Sequence, residues 1–93
     1  MTFTRLFGDY ARYAASGMDS LIFRHSNWMR FLASLQNSPL FSVVRAGDSA
    51  EGRSIWQLSW GKGPVPVLFW SQMHGNESTA SRSLCDLFLF LSA

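Results

Sequence analysis

The sequence predicts an α/β fold in which helices alternate with a strand pair and one fully apolar strand. Residues 28–35 carry apolar side chains at helical spacing, whereas residues 55–60 alternate between apolar and polar. Residues 67–70 are consecutively apolar, as expected of an interior strand that is covered on both faces. The predicted order is therefore helix, strand hairpin, buried strand, loop and helix.

The first predicted helix is short and amphipathic. Its aromatic and apolar residues recur at helical spacing: Phe3, Leu6, Phe7, Tyr10 and Tyr13. Gly8 interrupts this pattern and weakens it. Such a helix can lie on a membrane surface or pack on its own protein. Because its polar face offers only Arg5 and Arg12, packing on the protein is favoured.

A second helix is predicted after residue 25, with Ser26 as its N-cap. Its apolar face consists of residues at i, i+3, i+4 and i+7: Trp28, Phe31, Leu32 and Leu35. The sequence Asn-Ser-Pro at 37–39 ends it, because a helix rarely continues into proline.

A strand pair follows, with strands at 41–45 and 55–60 and a loop at 47–52. Trp56, Leu58 and Trp60 should share the covered face of the second strand. The interior strand at 65–70 comes after a turn at 61–64, and Trp70, like Trp56 and Trp60, is expected to pack within the protein.

The last predicted helix is buried on most sides. Its inner stripe comprises Ala80, Leu84, Leu87, Phe88 and Leu91, and Leu89 and Phe90 widen it. Cys85 lies near this stripe and is interpreted as a small core residue. As the single cysteine, it can form no disulfide within the chain.

Length and composition limit the class of protein. The chain has 93 residues, enough for one small domain at most. Hydrophobic residues make up 47% and charged residues 15%, which excludes a disordered, highly charged tail. The aromatic content of 15% suits a large core, so the composition predicts part of a larger fold.

Charge and hydropathy argue against two kinds of partner. The net charge of +2 comes from dispersed residues without a basic run, so nucleic-acid binding has little support. The most apolar stretch, 84–91, contains Asp86 and is too short to span a membrane. The first residues lack the apolar core of a signal peptide, which favours a cytoplasmic location.

The informative chemistry lies between the apolar strand and the last helix. His74 and Glu77 follow the strand's carboxyl end, where open α/β sheets bind ligands. Imidazole nitrogen and carboxylate oxygen are both zinc ligands. Gly75 between them permits backbone angles that other residues resist. The spacing alone is a weak motif, and a solvated loop is the alternative.

Residues 69–80 read FWSQMHGNESTA, and residues 47–55 read GDSAEGRSI. The first segment is similar to the first zinc-ligand motif of zinc metallocarboxypeptidases of the carboxypeptidase A type. The second resembles that family's Gly-x-Ser-x-Glu-Gly-Arg-x-Ile signature. The resemblance covers residues 24–93, with 1–23 as an unmatched helical lead-in. It implies that 1–93 is the amino-terminal, incomplete part of one mixed-sheet α/β peptidase domain.

The resemblance implies that His74 and Glu77 are the first two ligands of a catalytic Zn²⁺ and that the substrate is a peptide, cleaved at its C-terminal residue. The family's third ligand, glutamate base and arginine clamp lie further downstream, so no catalytic residue is identified here. His25, the only other histidine, is interpreted as a surface residue at the entry of the second helix. We therefore expect the chain alone to bind zinc weakly and to be inactive.

Two other functions stay open. The aspartoacylase and succinylglutamate desuccinylase group is similar at His-Gly-Asn-Glu, although the upstream Glu-Gly-Arg favours the peptidase. A non-catalytic interaction fragment that associates with a partner or with itself is the third possibility, since open strand edges invite pairing. Arg53 is expected to anchor the loop before its strand, and Asn76 to serve a turn or helix cap.

Overall fold

The computed structural model describes residues 2–15 and 23–93. Within these ranges the elements, in chain order, are α1 (Phe3–Gly8), α2 (Tyr10–Tyr13), α3 (His25–Leu35), β1 (Ser42–Asp48), β2 (Ser54–Ser59) and α4 (Thr79–Ser92). The described residues thus combine helices and strands, which agrees with the predicted α/β class. The predicted lead-in at 1–23 includes residues 16–22, which lie outside the described residues.

The predicted first helix is two short helices. The Thr2 hydroxyl accepts a hydrogen bond from Arg5 N at 3.3 Å and caps α1. The break comes at Asp9, whose φ of −97° and ψ of 1° leave the helical region just after Gly8. Glycine is a poor helix former, which accounts for a break at this point.

The predicted apolar face of the first segment is not buried as a whole. Phe3 and Phe7 are 90% and 88% exposed. Attachment comes instead from Asp86, whose carboxylate accepts hydrogen bonds from Tyr10 Oη and Ala15 N, both at 2.7 Å. The segment therefore packs on its own protein mainly through its second half.

Helix α3 begins one residue before the predicted cap. Arg24, not Ser26, is the N-cap residue, and Ser26 lies inside the first turn. Asn27 Oδ1 accepts a hydrogen bond from Arg24 N at 2.9 Å, so a side chain in the first turn satisfies the backbone just outside the helix. The predicted apolar face is confirmed, since Phe31, Leu32 and Leu35 are all buried.

The two strands pair in antiparallel fashion. Ser42 lies opposite Ser59, and the register shifts between Arg45 and Gly47, so β1 continues to Asp48, beyond the predicted end. At the turn, Gly52 N donates to Ser49 O at 2.9 Å with a φ of 77°, a conformation that favours glycine. The alternation along β2 is confirmed, because its tryptophan and leucine are more buried than their neighbours.

The predicted stripe of helix α4 is confirmed in part. Phe88 is buried, and Leu84 and Leu91 pack against the core, whereas Ala80 is exposed. Ser81 and Cys85 are buried as well, so the buried face is shifted toward these small side chains. Within residues 2–15 and 23–93, no helix is long and apolar enough to cross a membrane.

Phe88 lies at the centre of an aromatic core between α3, β2 and α4. Its ring centroid is 5.7 Å from those of Phe41 and Trp60, 6.3 Å from that of Trp28 and 6.4 Å from that of Phe31. Only 5% of Phe88 is exposed. One side chain thus joins both helices to the residues that flank the strand pair.

The predicted interior strand at 65–70 is wrong in this structure. The sheet of the described residues contains only β1 and β2, and residues 65–70 belong to no strand. Leu68 is 76% exposed and Trp70 is 65% exposed. A strand exists through hydrogen bonds to a neighbouring strand, and residues 65–70 are paired with neither β1 nor β2.

Candidate metal site

The predicted ligands lie in the loop that leads into α4. Glu77 N donates a hydrogen bond to His74 O at 2.9 Å, which closes a tight turn around Gly75 and Asn76. Ser78 follows as the N-cap of α4. Of the two roles predicted for Asn76, a turn residue or a helix cap, it therefore has the first. The turn brings residues three apart to the same side of the loop.

The two side chains meet within this turn. His74 Nδ1 lies 3.1 Å from Glu77 Oε2. When Nδ1 carries a proton, the imidazole donates it to the carboxylate. When Nδ1 is deprotonated, the same two atoms are both electron-pair donors and can face one cation.

This geometry can be compared with a zinc site. Ligand bonds of ~2.0–2.2 Å at tetrahedral angles place two ligand atoms about 3.4 Å apart. The observed 3.1 Å therefore needs to widen by only a few tenths of an ångström. Both side chains are open to solvent, at 73% and 71% exposure, so hydrated metal has direct access. The donor set fits half of a four-coordinate shell.

A third ligand is not found among residues 2–15 and 23–93, where no group of three His, Cys, Asp or Glu side chains could hold a metal ion. His25 is exposed at the start of α3, and its Nε2 is 3.2 Å from Ser54 O. This agrees with its interpretation as a helix-entry residue. Burial raises the pKa of the Cys85 thiol to about 12, which keeps this core residue from offering a thiolate at neutral pH.

Gln72 is the site residue that the sequence did not reveal. Its Nε2 donates to Gly75 O at 2.8 Å and to Phe23 O at 2.9 Å. Its Oε1 accepts from the buried Ser81 Oγ at 2.8 Å. One amide therefore ties the ligand turn to α4 and to the segment before α3. A glutamine two residues before a histidine carries no sequence signal of this kind.

The backbone strain of the loop also lies at Gln72. Its φ is 58°, in the left-handed region that non-glycine residues rarely occupy. Such a residue costs about 1–3 kcal/mol and persists only where its surroundings hold it in place. The expectation that Gly75 supplies unusual backbone angles is wrong, since its φ is not positive.

The upstream motif forms the hairpin loop between β1 and β2. Arg53 N donates to Ser49 Oγ at 3.1 Å, and Ser49 N donates to Arg53 O at 2.8 Å. The guanidinium lies 2.9 Å from Glu51 Oε2 and is exposed. Arg53 therefore anchors the loop before its strand, as predicted.

Two depressions adjoin the turn at residues 74–77. A smaller one of about 410 Å³ is lined by His74, Glu77 and their loop neighbours. A larger groove of about 1110 Å³ runs between β2 and residues 63–72, with Trp60 and Phe69 among its walls. Their rings stack with centroids 6.5 Å apart. Small-molecule sites are commonly ~300–1,000 Å³, so the first depression has room for a short peptide end.

Comparison with known proteins gives no match: no family model, no curated protein and no solved structure matches this chain. Its function must therefore be inferred from the residues and their geometry.

Proposed function

We propose that this chain contributes the first two protein ligands, His74 and Glu77, to the zinc site of a metallocarboxypeptidase. The observation that carries the proposal is the 3.1 Å approach of His74 Nδ1 to Glu77 Oε2 within one closed turn. A His–Glu pair in a loop is common by itself. The proposal therefore also rests on the resemblance of residues 69–80 and 47–55 to two motifs of that family.

The chain's own residues bind and orient the ion in this proposal. His74 supplies an imidazole nitrogen and Glu77 a carboxylate oxygen from an open loop, beside a depression that can admit the carboxyl end of a peptide. A bound zinc ion supplies polarisation of the scissile carbonyl and a lowered pKa of water. The third ligand, a general base and a clamp for the terminal carboxylate come from residues other than those described.

The aspartoacylase and succinylglutamate desuccinylase group is the enzyme alternative. It would use the same two ligands but acylated amino acids as substrates. The hairpin loop at 47–55 favours the peptidase, because its Glu-Gly-Arg matches the peptidase signature. The two functions differ in the substrate that a complete enzyme would cleave.

Calorimetric titration with Zn²⁺ at neutral pH tests the metal site. We expect weak one-to-one binding by the unaltered chain, since two protein ligands leave half of a tetrahedral shell to water. His74→Ala and Glu77→Gln should abolish it, and His25→Ala should not, because His25 lies at the start of α3. Equal binding by the His74→Ala variant would refute the assignment.

Self-association is a second candidate function, favoured by the exposed apolar segment at 65–70. Val67 and Leu68 are 67% and 76% exposed, although the segment has the sequence of a covered strand. The Cα radius of gyration is 13.9 Å, above the ~12 Å of a compact domain of this length. Open sheet edges and exposed apolar residues together favour pairing with a second copy.

Sedimentation at increasing protein concentration tests this candidate. We expect association in the unaltered chain and loss of it in Leu68→Lys, which places a charge in the apolar segment. Phe3→Lys is the matched control, because Phe3 is 90% exposed on α1. A monomer at all concentrations, or equal effects of both variants, would exclude the segment as the interface.

A further inference from the structure

Gln72 combines an unfavourable backbone conformation with an unusually complete set of side-chain bonds. Its φ of 58° is the only positive value at a non-glycine residue in the described part of the chain. A backbone in this region is retained only where other interactions fix it. The fixing interactions are therefore expected to be those of the side chain.

The amide of Gln72 makes three hydrogen bonds, of four that such a group can form. The bond to Gly75 O reaches the middle of the ligand turn. The bonds to Phe23 O and Ser81 Oγ reach two separate parts of the fold. Ser81 Oγ also lies 2.7 Å from Ser71 Oγ, which extends the network along the loop.

The ligands themselves have little packing to hold them. His74 and Glu77 are each more than two-thirds exposed. Their relative position must therefore come from the backbone of the turn, and Gln72 is the residue that bonds to that backbone from a fixed point. This is how outer-shell groups commonly act on metal ligands.

We propose that Gln72 is a positioning residue that holds the His74–Glu77 turn ready for a metal ion. The inference rests on the proposed function, since it concerns the same site. Gln72 touches neither the ion nor substrate in this role; it acts through Gly75 O and the turn. Its loss should lower metal affinity and change the coordination geometry without unfolding the protein.

The test uses the full chain with Zn²⁺ calorimetry and the visible absorption spectrum of the Co²⁺ form. Gln72→Met removes all three bonds at constant charge and similar length. We expect it to lower Zn²⁺ affinity by about tenfold or more and to alter the spectrum at saturating Co²⁺. Gln57→Met, on the exposed face of β2, is the matched control and should leave both unchanged.

Three further variants separate the causes. Gln72→Gly relieves the backbone strain but removes the side chain, so wild-type affinity in it would show that only the backbone matters and would overturn the proposal. Ser81→Ala removes one of the three bonds to the Gln72 amide, together with the contact to Ser71 Oγ, and should lower affinity by a smaller factor. If Gln72→Met fails to fold, Ser81→Ala decides, and wild-type affinity and spectrum there would contradict the role. His74→Ala reports on the metal site itself.

Failure of the proposed function can be told apart from failure of this inference. If the unaltered chain binds no zinc, the metal proposal falls, and hydrogen exchange at the Glu77 amide still tests the positioning role. That amide bonds to His74 O and should exchange faster in Gln72→Met than in Gln57→Met. Equal exchange in the two variants would overturn the positioning role.

Discussion

Replacing Phe88 by alanine should remove the centre of the core. Phe88 is 5% exposed and contacts aromatic rings from α3, from β2's end and from the segment before β1. A phenylalanine buries ~150–250 Å², worth roughly 4–6 kcal/mol at ~25 cal/mol per Å². Since alanine retains part of that area and the cavity partly relaxes, we expect a loss of about 3–5 kcal/mol.

Urea denaturation followed by far-ultraviolet circular dichroism measures this change. Phe7→Ala is the matched control, because Phe7 is 88% exposed and should change the free energy of unfolding by less than about 0.5 kcal/mol. Phe88→Leu, with a loss of about 1.5 kcal/mol or less, keeps the effect measurable if the alanine variant is unfolded. Unfolding free energies for Phe88→Ala and Phe7→Ala that agree within about 1 kcal/mol would refute the described core.

Three further outcomes follow from individual groups. Tyr10 donates a hydrogen bond to Asp86, which raises the pKa of the phenol above 10.0. The stabilisation that this bond gives the fold is complete below pH 10.0 and is lost as pH rises through the raised pKa. Thermal melts should reveal this loss of stability, and the Tyr10→Phe variant should not show it. Cys85 is fully buried with a pKa of about 12, and a thiol reagent should label it only after denaturation; rapid labelling of the folded chain would contradict its burial. On the proposed function, the isolated chain should release no C-terminal amino acids from peptides, because the general base and the carboxylate clamp would come from residues other than those described; turnover that is abolished by a chelator and by Glu77→Gln would overturn this.

Periodic patterns in the sequence correctly predicted the helix and the strand that bury one face and expose the other. The stripe of α3 and the alternation of β2 each bury one side, and repeats of 3.6 and 2 residues record that directly. The apolar run at 65–70 has no such repeat. It indicates that both faces of a strand could be buried, but it does not indicate whether a neighbouring strand and a second covering layer are present.

The candidate site likewise combines local features, which depend on neighbouring residues, with features that depend on distant parts of the chain. The His74–Glu77 turn is local, so the approach of its two side chains depends on only four consecutive residues. The role of Gln72 depends on Phe23 and Ser81, which lie 49 and 9 residues away. Contacts of that range leave no pattern in a single sequence, and a left-handed glutamine is not expected from its residue type.

X-ray absorption at the zinc edge tests the central claim most directly, because it reports the atoms bound to the ion. For the zinc-loaded chain we expect nitrogen and oxygen neighbours at ~2.0–2.2 Å, with the outer scattering of a single imidazole that disappears in His74→Ala. A sulfur neighbour, or imidazole scattering that persists in His74→Ala, would contradict the assignment of His74 and Glu77 as the ligands.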